Sequence, residues 1–166
     1  MDSMVLDVVL KQIARDLCGA EATEDDIRLL RSRFNPRLLP DWLVTMLNGN
    51  RLAGMCFSLD ASVDKSNVGA EVQWLTPVQI VSEATECEPG ASVVSLGYFP
   101  IGACAEGSGD PYFLDLLEAT DDPPLVRVPH DFAGCGQYPI DRIERVSDSL
   151  SEFLSKATLS GIIQAP

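Results

Sequence analysis

Apolar residues recur at three- and four-residue spacing through the first third of the chain, then give way to short runs and alternations. Leu6, Val9, Leu10, Ile13 and Leu17 form one stripe, which predicts a first helix from Ser3, a capping residue, to Cys18, with Gly19 ending it. Thr23 starts a second helix whose first turn holds Glu24, Asp25 and Asp26, carboxylates suited to the positive end of the helix dipole. Ile27, Leu30 and Phe34 are its inward face, and Pro36 stops it. The third helix opens at Leu38-Leu39-Pro40-Asp41-Trp42-Leu43 and closes at Asn48-Gly49, with Trp42, Leu43, Met46 and Leu47 as its apolar face. Proline near a helix start is well tolerated. These three helices are expected to cover one side of a sheet.

From Leu52 the helical period disappears. Leu52 to Leu59 reads as a strand weakened by Gly54, a polar loop runs to Gly69, and Glu71 to Trp74 reads as a second strand. Thr76-Pro77-Val78-Gln79 combines a cap, a proline at the first position and a glutamine three residues on, the capping box of a short helix reaching about Glu86. A hairpin follows, with strands Val93 to Phe99 and Tyr112 to Leu117 about the turn Gly107-Ser108-Gly109-Asp110-Pro111. Leu125 to Val128 is a further short strand, and His130 to Pro139 is loop. Ser147 is placed to cap a last helix with Leu150, Phe153 and Leu154 inward, and the tail after Lys156 is expected to fray. Helices first, strands in the middle and a helix last make a single α+β domain with an antiparallel sheet flanked by helices.

Composition adds limits. A chain of 166 residues fits one domain and buries roughly 70% of its unfolded surface without metal or disulfide staples. The five cysteines are odd in number and widely spaced, so they read as reduced, small hydrophobes of a cytosolic protein. The opening MDSMVLDVVLKQ is interrupted by Asp7 and has no basic segment before it, which makes a poor secretion signal. No run approaches the length a membrane helix needs. The expectation is a soluble, cytoplasmic protein.

Charge changes the picture more. Acidic residues number 25 against 12 basic ones, a formal net charge of -13. Between Lys65 and Arg127 no lysine or arginine occurs, while Glu71, Glu83, Glu86, Glu88, Glu106, Asp110, Asp115, Glu118, Asp121 and Asp122 all do. Such a field disfavours nucleic acid and anionic membrane and hastens encounter with a basic protein.

Candidate chemistry is sparse. His130 and Cys135, with Asp131 or Asp141 to orient the ring, are the residues a cysteine nucleophile would need, though sequence proximity is not geometry. Asp110, Asp115, Glu118, Asp121 and Asp122 are oxygen ligands of the kind calcium or magnesium takes, but their spacing matches no calcium-binding helix-loop-helix. Gly107 and Gly109 join two strands amid carboxylates, unlike a phosphate loop, which opens a helix and brings a lysine. Trp42 and Trp74 sit on apolar faces and read as core before they read as partner anchors. No cofactor motif and no metal motif stands out.

Four segments in order resemble the SUKH superfamily, the α+β domain of fungal cell-wall-synthesis regulators and bacterial toxin-immunity proteins. They are Leu39-Pro40-Asp41-Trp42-Leu43 running to Leu47-Asn48-Gly49, then Trp74-Leu75-Thr76, then the hairpin from Gly102 to Leu116, and last Val146 to Leu154. The likeness covers about residues 23 to 156 and departs from the family pattern in the extra N-terminal helix and the glycine-bearing loop after His130. It implies a binding module without catalysis, and most simply an immunity protein that neutralises a toxin. Many such toxins are basic nucleases, which an acidic inhibitor suits. Glu106, Asp110, Glu118, Asp121 and Asp122 are then the expected partner-binding residues. A regulatory scaffold binding several host proteins is the alternative, and a small hydrolase using Cys135 and His130 a remote one.

Overall fold

A computed structural model describes residues 3–106, 109–119, 121–134 and 136–162. Helices α1 (Ser3–Ile13), α2 (Glu24–Arg33) and α3 (Asp41–Gly49) come first, followed by β1 (Met55–Leu59), β2 (Ala70–Trp74), α4 (Pro77–Thr85) and the single-turn α5 (Gly90–Val93). Then come β3 (Tyr98–Cys104), β4 (Tyr112–Asp115), β5 (Leu125–Arg127), β6 (Glu144–Ser147), α6 (Leu150–Lys156) and β7 (Thr158–Ile162). All seven strands form one antiparallel sheet in the order β6-β5-β4-β3-β2-β1-β7. The α+β class is therefore as the sequence predicts. Because α6 touches both β1 and β6, the sheet curls around it.

The capping signals act where they stand in the chain. Thr23 and Asp26 close a capping box on α2, and Thr76 and Gln79 close another on α4. Each satisfies backbone N–H groups that a helix start leaves without partners. The buried residues of α1, α2, α3, α4 and α6 then join Phe57, Val72, Trp74, Phe99, Ile101, Tyr112 and Leu114 in one core on the concave side. A second, smaller core lies on the opposite face, where Tyr98, Phe113 and Val126 meet Val93, Val128 and Tyr138. Phe132, Tyr138 and Ile143 pack against it, so the central strands are buried on both faces.

Five expectations are corrected. The predicted strand from Val93 to Phe99 is helical as far as Leu96, and β3 instead begins at Tyr98 and runs on to Cys104. A short apolar run does not distinguish a buried strand from a buried helical turn. Gly97, at φ 104°, makes the left-handed step between the two. Within β3, Pro100 has no N–H to give, and the register shifts between Pro100 and Gly102. The strand expected to reach Leu117 ends at Asp115, whose carboxylate accepts the amides of Leu117 and Glu118 at 3.1 and 3.3 Å and turns the chain.

Ser147 does not cap the last helix. It ends β6, and Ser149 is the cap, its hydroxyl accepting the Glu152 amide at 3.1 Å. The tail after Lys156 does not fray at first: Thr158–Ile162 pairs with β1 and so gives β1's outer edge its backbone partners. The first helix stops at Ile13 rather than Cys18, with the Asp16 amide closing a turn onto Ile13 O at 2.9 Å.

One group in α4 carries a pH dependence. Glu83 is half-buried, and its Oε1 is buried with no hydrogen-bond partner. Burial raises its pKa, the neighbouring charge of Glu88 adds to the rise, and the approach of the Gly90 N–H only partly opposes it. The folded state thus holds this proton more tightly than the unfolded state does. Stability from Glu83 is complete below the ordinary carboxyl value and is lost as pH rises through the raised one. Glu83→Gln should therefore stabilise the protein at neutral pH and flatten its stability profile between about pH 4 and 7, as read by thermal unfolding. A profile unchanged by the substitution would remove Glu83 from the account.

Candidate partner-binding surface

One end of the sheet brings the 60–69 loop beside the start of β2, the end of β3 with Glu106, the start of β4 and the end of β5. Between them is a hollow of about 380 Å³ with Arg127 and Tyr112 at its floor and Asp60, Glu71 and Glu106 around it. The floor is a buried ionic network. Arg127 is 3% exposed and Asp64 1%. Its guanidinium donates to Glu144 at 2.8 Å, Ser66 at 3.0 Å and Asp64 at 3.3 Å, and also to the Gly69 carbonyl. It lies 5.4 Å from the centre of the Tyr112 ring. Burial by itself would lower the Arg127 pKa, but hydrogen bonds to Glu144 and Tyr112 and the charge of Asp64 more than reverse this, so the group stays charged. The network ties the 60–69 loop to β5 and β6.

The carboxylates around the hollow differ from those of the floor. Asp60 is exposed, and the hydroxyl and amide of Ser62 hold it below the ordinary carboxylate range. Glu71 accepts the Ser58 hydroxyl across the β1–β2 pair. Glu106 is exposed on the β3–β4 connection, where its carbonyl accepts the Cys104 thiol. Negative charge at this end therefore faces solvent at Asp60 and Glu106.

The five expected partner-binding residues do not form one cluster. Glu106 and Asp110 lie at one end of β4, and Glu118, Asp121 and Asp122 beyond its other end. Asp110 accepts the backbone N–H of His130 at 2.9 Å and meets its ring. Glu118 pairs with Arg145, which also reaches Asp148 at 3.2 Å, and Lys65 pairs with Asp148 from another side. Asp122 accepts the Ser151 amide at 2.9 Å together with the Ser151 hydroxyl, anchoring the start of α6. Asp121 borders a hollow between α1 and α3 lined by Leu6, Leu10, Trp42 and Met46. Asp60 and Glu106 are exposed at one end, and Glu118 and Asp121 are exposed beyond the other end of β4.

The other candidates resolve by placement. Cys135, and Gly107 and Ser108 of the turn, lie outside the described residues. Among the described residues no three His, Cys, Asp or Glu side chains converge as a metal site. Trp74 is 1% exposed and its ring stands 5.9 Å from that of Phe57, whereas Trp42 is half-buried. Among the described residues no helix is long and apolar enough to cross a membrane.

The Arg127 network had one signal in the sequence. In Leu125-Val126-Arg127-Val128 the alternation sets Arg127 on the face of Leu125, which is the core face. Its partner Asp64 had none, being one polar residue in a polar loop. None of the protein-family models, curated proteins and solved structures compared with this chain matches it.

Proposed function

We propose that this chain is an intracellular protein-binding module of the SUKH type, an immunity protein that occludes the active surface of a basic, nuclease-type toxin. The observation that carries the reading is charge: 25 acidic against 12 basic residues, with Asp60, Glu71 and Glu106 gathered at one end of the sheet. A field of that sign speeds encounter with a cationic face and excludes like-charged partners. The contact centres on Glu106 and Asp60, both exposed. Asp110, Glu118 and Asp122, each engaged within the chain, contribute to the field at longer range. The antiparallel α+β fold is the one the resemblance implies, and its β3–β4 hairpin is what carries Glu106 outward.

The test takes the toxin domain encoded beside this chain's gene. Wild-type protein should rescue growth of cells expressing that domain. Joint Glu106→Lys and Asp60→Lys should slow association about tenfold at low salt, the difference shrinking as salt screens it. Unchanged association at low salt would sink the acidic contact. The absence of a neighbouring toxin gene, or failure of rescue, would sink the immunity role, and capture of several host proteins instead would mark a regulatory scaffold.

A further inference from the structure

Helix α1 is apolar on two opposite sides. Leu6, Val9 and Leu10 are buried in the main core, whereas Met4 is 70% exposed, Val5 53% and Val8 51%. At about 100° of turn per residue, these three form one strip on the side away from Leu6 and Leu10. Nowhere else among the described helices and strands do three exposed large apolar side chains share one element. Apolar positions on both sides are the pattern of a helix with a neighbour on each.

The charges around the strip fit it to a second copy of this chain. Residues 3–16 hold two acidic side chains, Asp7 and Asp16, and two basic ones, Lys11 and Arg15. The net charge of -13 opposes contact between two copies, and that repulsion is locally absent on this helix. Asp7 and Lys11 are both exposed and lie one turn apart on one flank of the strip. Neither forms an ion pair among the described residues.

In an antiparallel pair with its twofold axis beside Val8, the rotation keeps each flank on its own side and reverses the direction of the chain. Val8 then meets Val8, Val5 lies near Gln12 of the second copy, and Met4 lies along the methylene stem of the second copy's Lys11. Asp7 comes within about 3 Å of rise of that same Lys11, a gap that a lysine side chain spans. The pairing is reciprocal, as an isologous contact requires.

We propose that the outer face of α1 is a homodimer contact, in which two copies pair antiparallel about Val8 with reciprocal Asp7–Lys11 ion pairs. A standard interface buries about 1,600 Å² in total. One face of an 11-residue helix supplies less, so the dimer is weak and forms as concentration rises. The inference does not rest on the toxin reading.

Sedimentation equilibrium of the full chain from about 5 μM to about 500 μM tests it, with a monomer–dimer equilibrium expected. Val8→Glu sets two carboxylates beside the axis and should raise the dimer dissociation constant at least about tenfold. Its melting temperature at about 5 μM should match that of the wild type, because the position is exposed. Asp7→Lys and Lys11→Asp each oppose like charges across the axis and should each weaken self-association about three-fold or more. A 1:1 mixture of those two variants restores opposite charges at every pair and should associate at least as tightly as the wild type. A chain that stays monomeric throughout, including one that sediments with phosphatidylcholine vesicles instead, would overturn the proposal. So would Val8→Glu dimerising like the wild type, or a mixture no tighter than its two components alone.

Discussion

Arg127→Met should lower stability by about 3–5 kcal/mol, the usual loss when one member of a buried ion pair is removed. The substitution keeps an unbranched chain over Tyr112 but leaves the Asp64 carboxylate, whose side chain is 0% exposed, facing no cation. Two bonds from Ser66, its amide at 2.8 Å and its hydroxyl at 2.9 Å, remain to Asp64 and cannot replace a full charge. Glu144, 39% exposed, turns to water at smaller cost. The double variant Arg127→Met with Asp64→Asn should recover most of the loss, because asparagine keeps the Ser66 turn without the charge. Urea unfolding of the four proteins reads the coupling. A single-variant loss under about 1 kcal/mol would mean that water already reaches the network.

Gly90→Ala should be nearly as damaging for a steric reason. A Cβ at this position would stand 2.0 Å from the Glu83 carbonyl oxygen and 2.8 Å from its carbon, both backbone atoms of α4. Neither can rotate away, so α5 must separate from α4 and draw Val93, which is fully buried, out of the second core. We expect a loss of roughly 3 kcal/mol or more. Gly49→Ala is the matched control. Gly49 ends α3, and a methyl group added there would have no atom within 4 Å, so the substitution should be neutral or stabilise by up to about 1 kcal/mol. Melting curves that rank the two variants the other way would contradict the packing of α5 on α4.

Much of the fold could be read from the chain because its causes are local. The boxes at Thr23 and Thr76 involve residues three apart, and the stripes of α1, α2 and α3 repeat within one or two turns. The misreadings share an opposite cause. Ser147 and Ser149 are equally good caps in isolation, and pairing of Glu144–Ser147 with β5 is what decides between them. Thr158–Ile162 is a strand because β1 offers it an edge, and β1 lies about a hundred positions earlier. Its preference for extended structure is modest and context-dependent.

The acidic excess, the helical stripes and the α+β order belong to the linear chain, since composition and short-range period need no knowledge of contacts. Which carboxylates remain available is a different matter. Asp64 meets Arg127 across 63 positions, Ser151 engages Asp122 across 29, and Arg145 engages Glu118 across 27. Charge adds up without regard to order, but an ion pair requires two atoms within a few ångströms of each other, and only the folded backbone sets that distance. Glu106 is exposed on the β3–β4 connection, while Arg127 is engaged by Asp64 and Glu144 and Arg145 by Glu118 and Asp148.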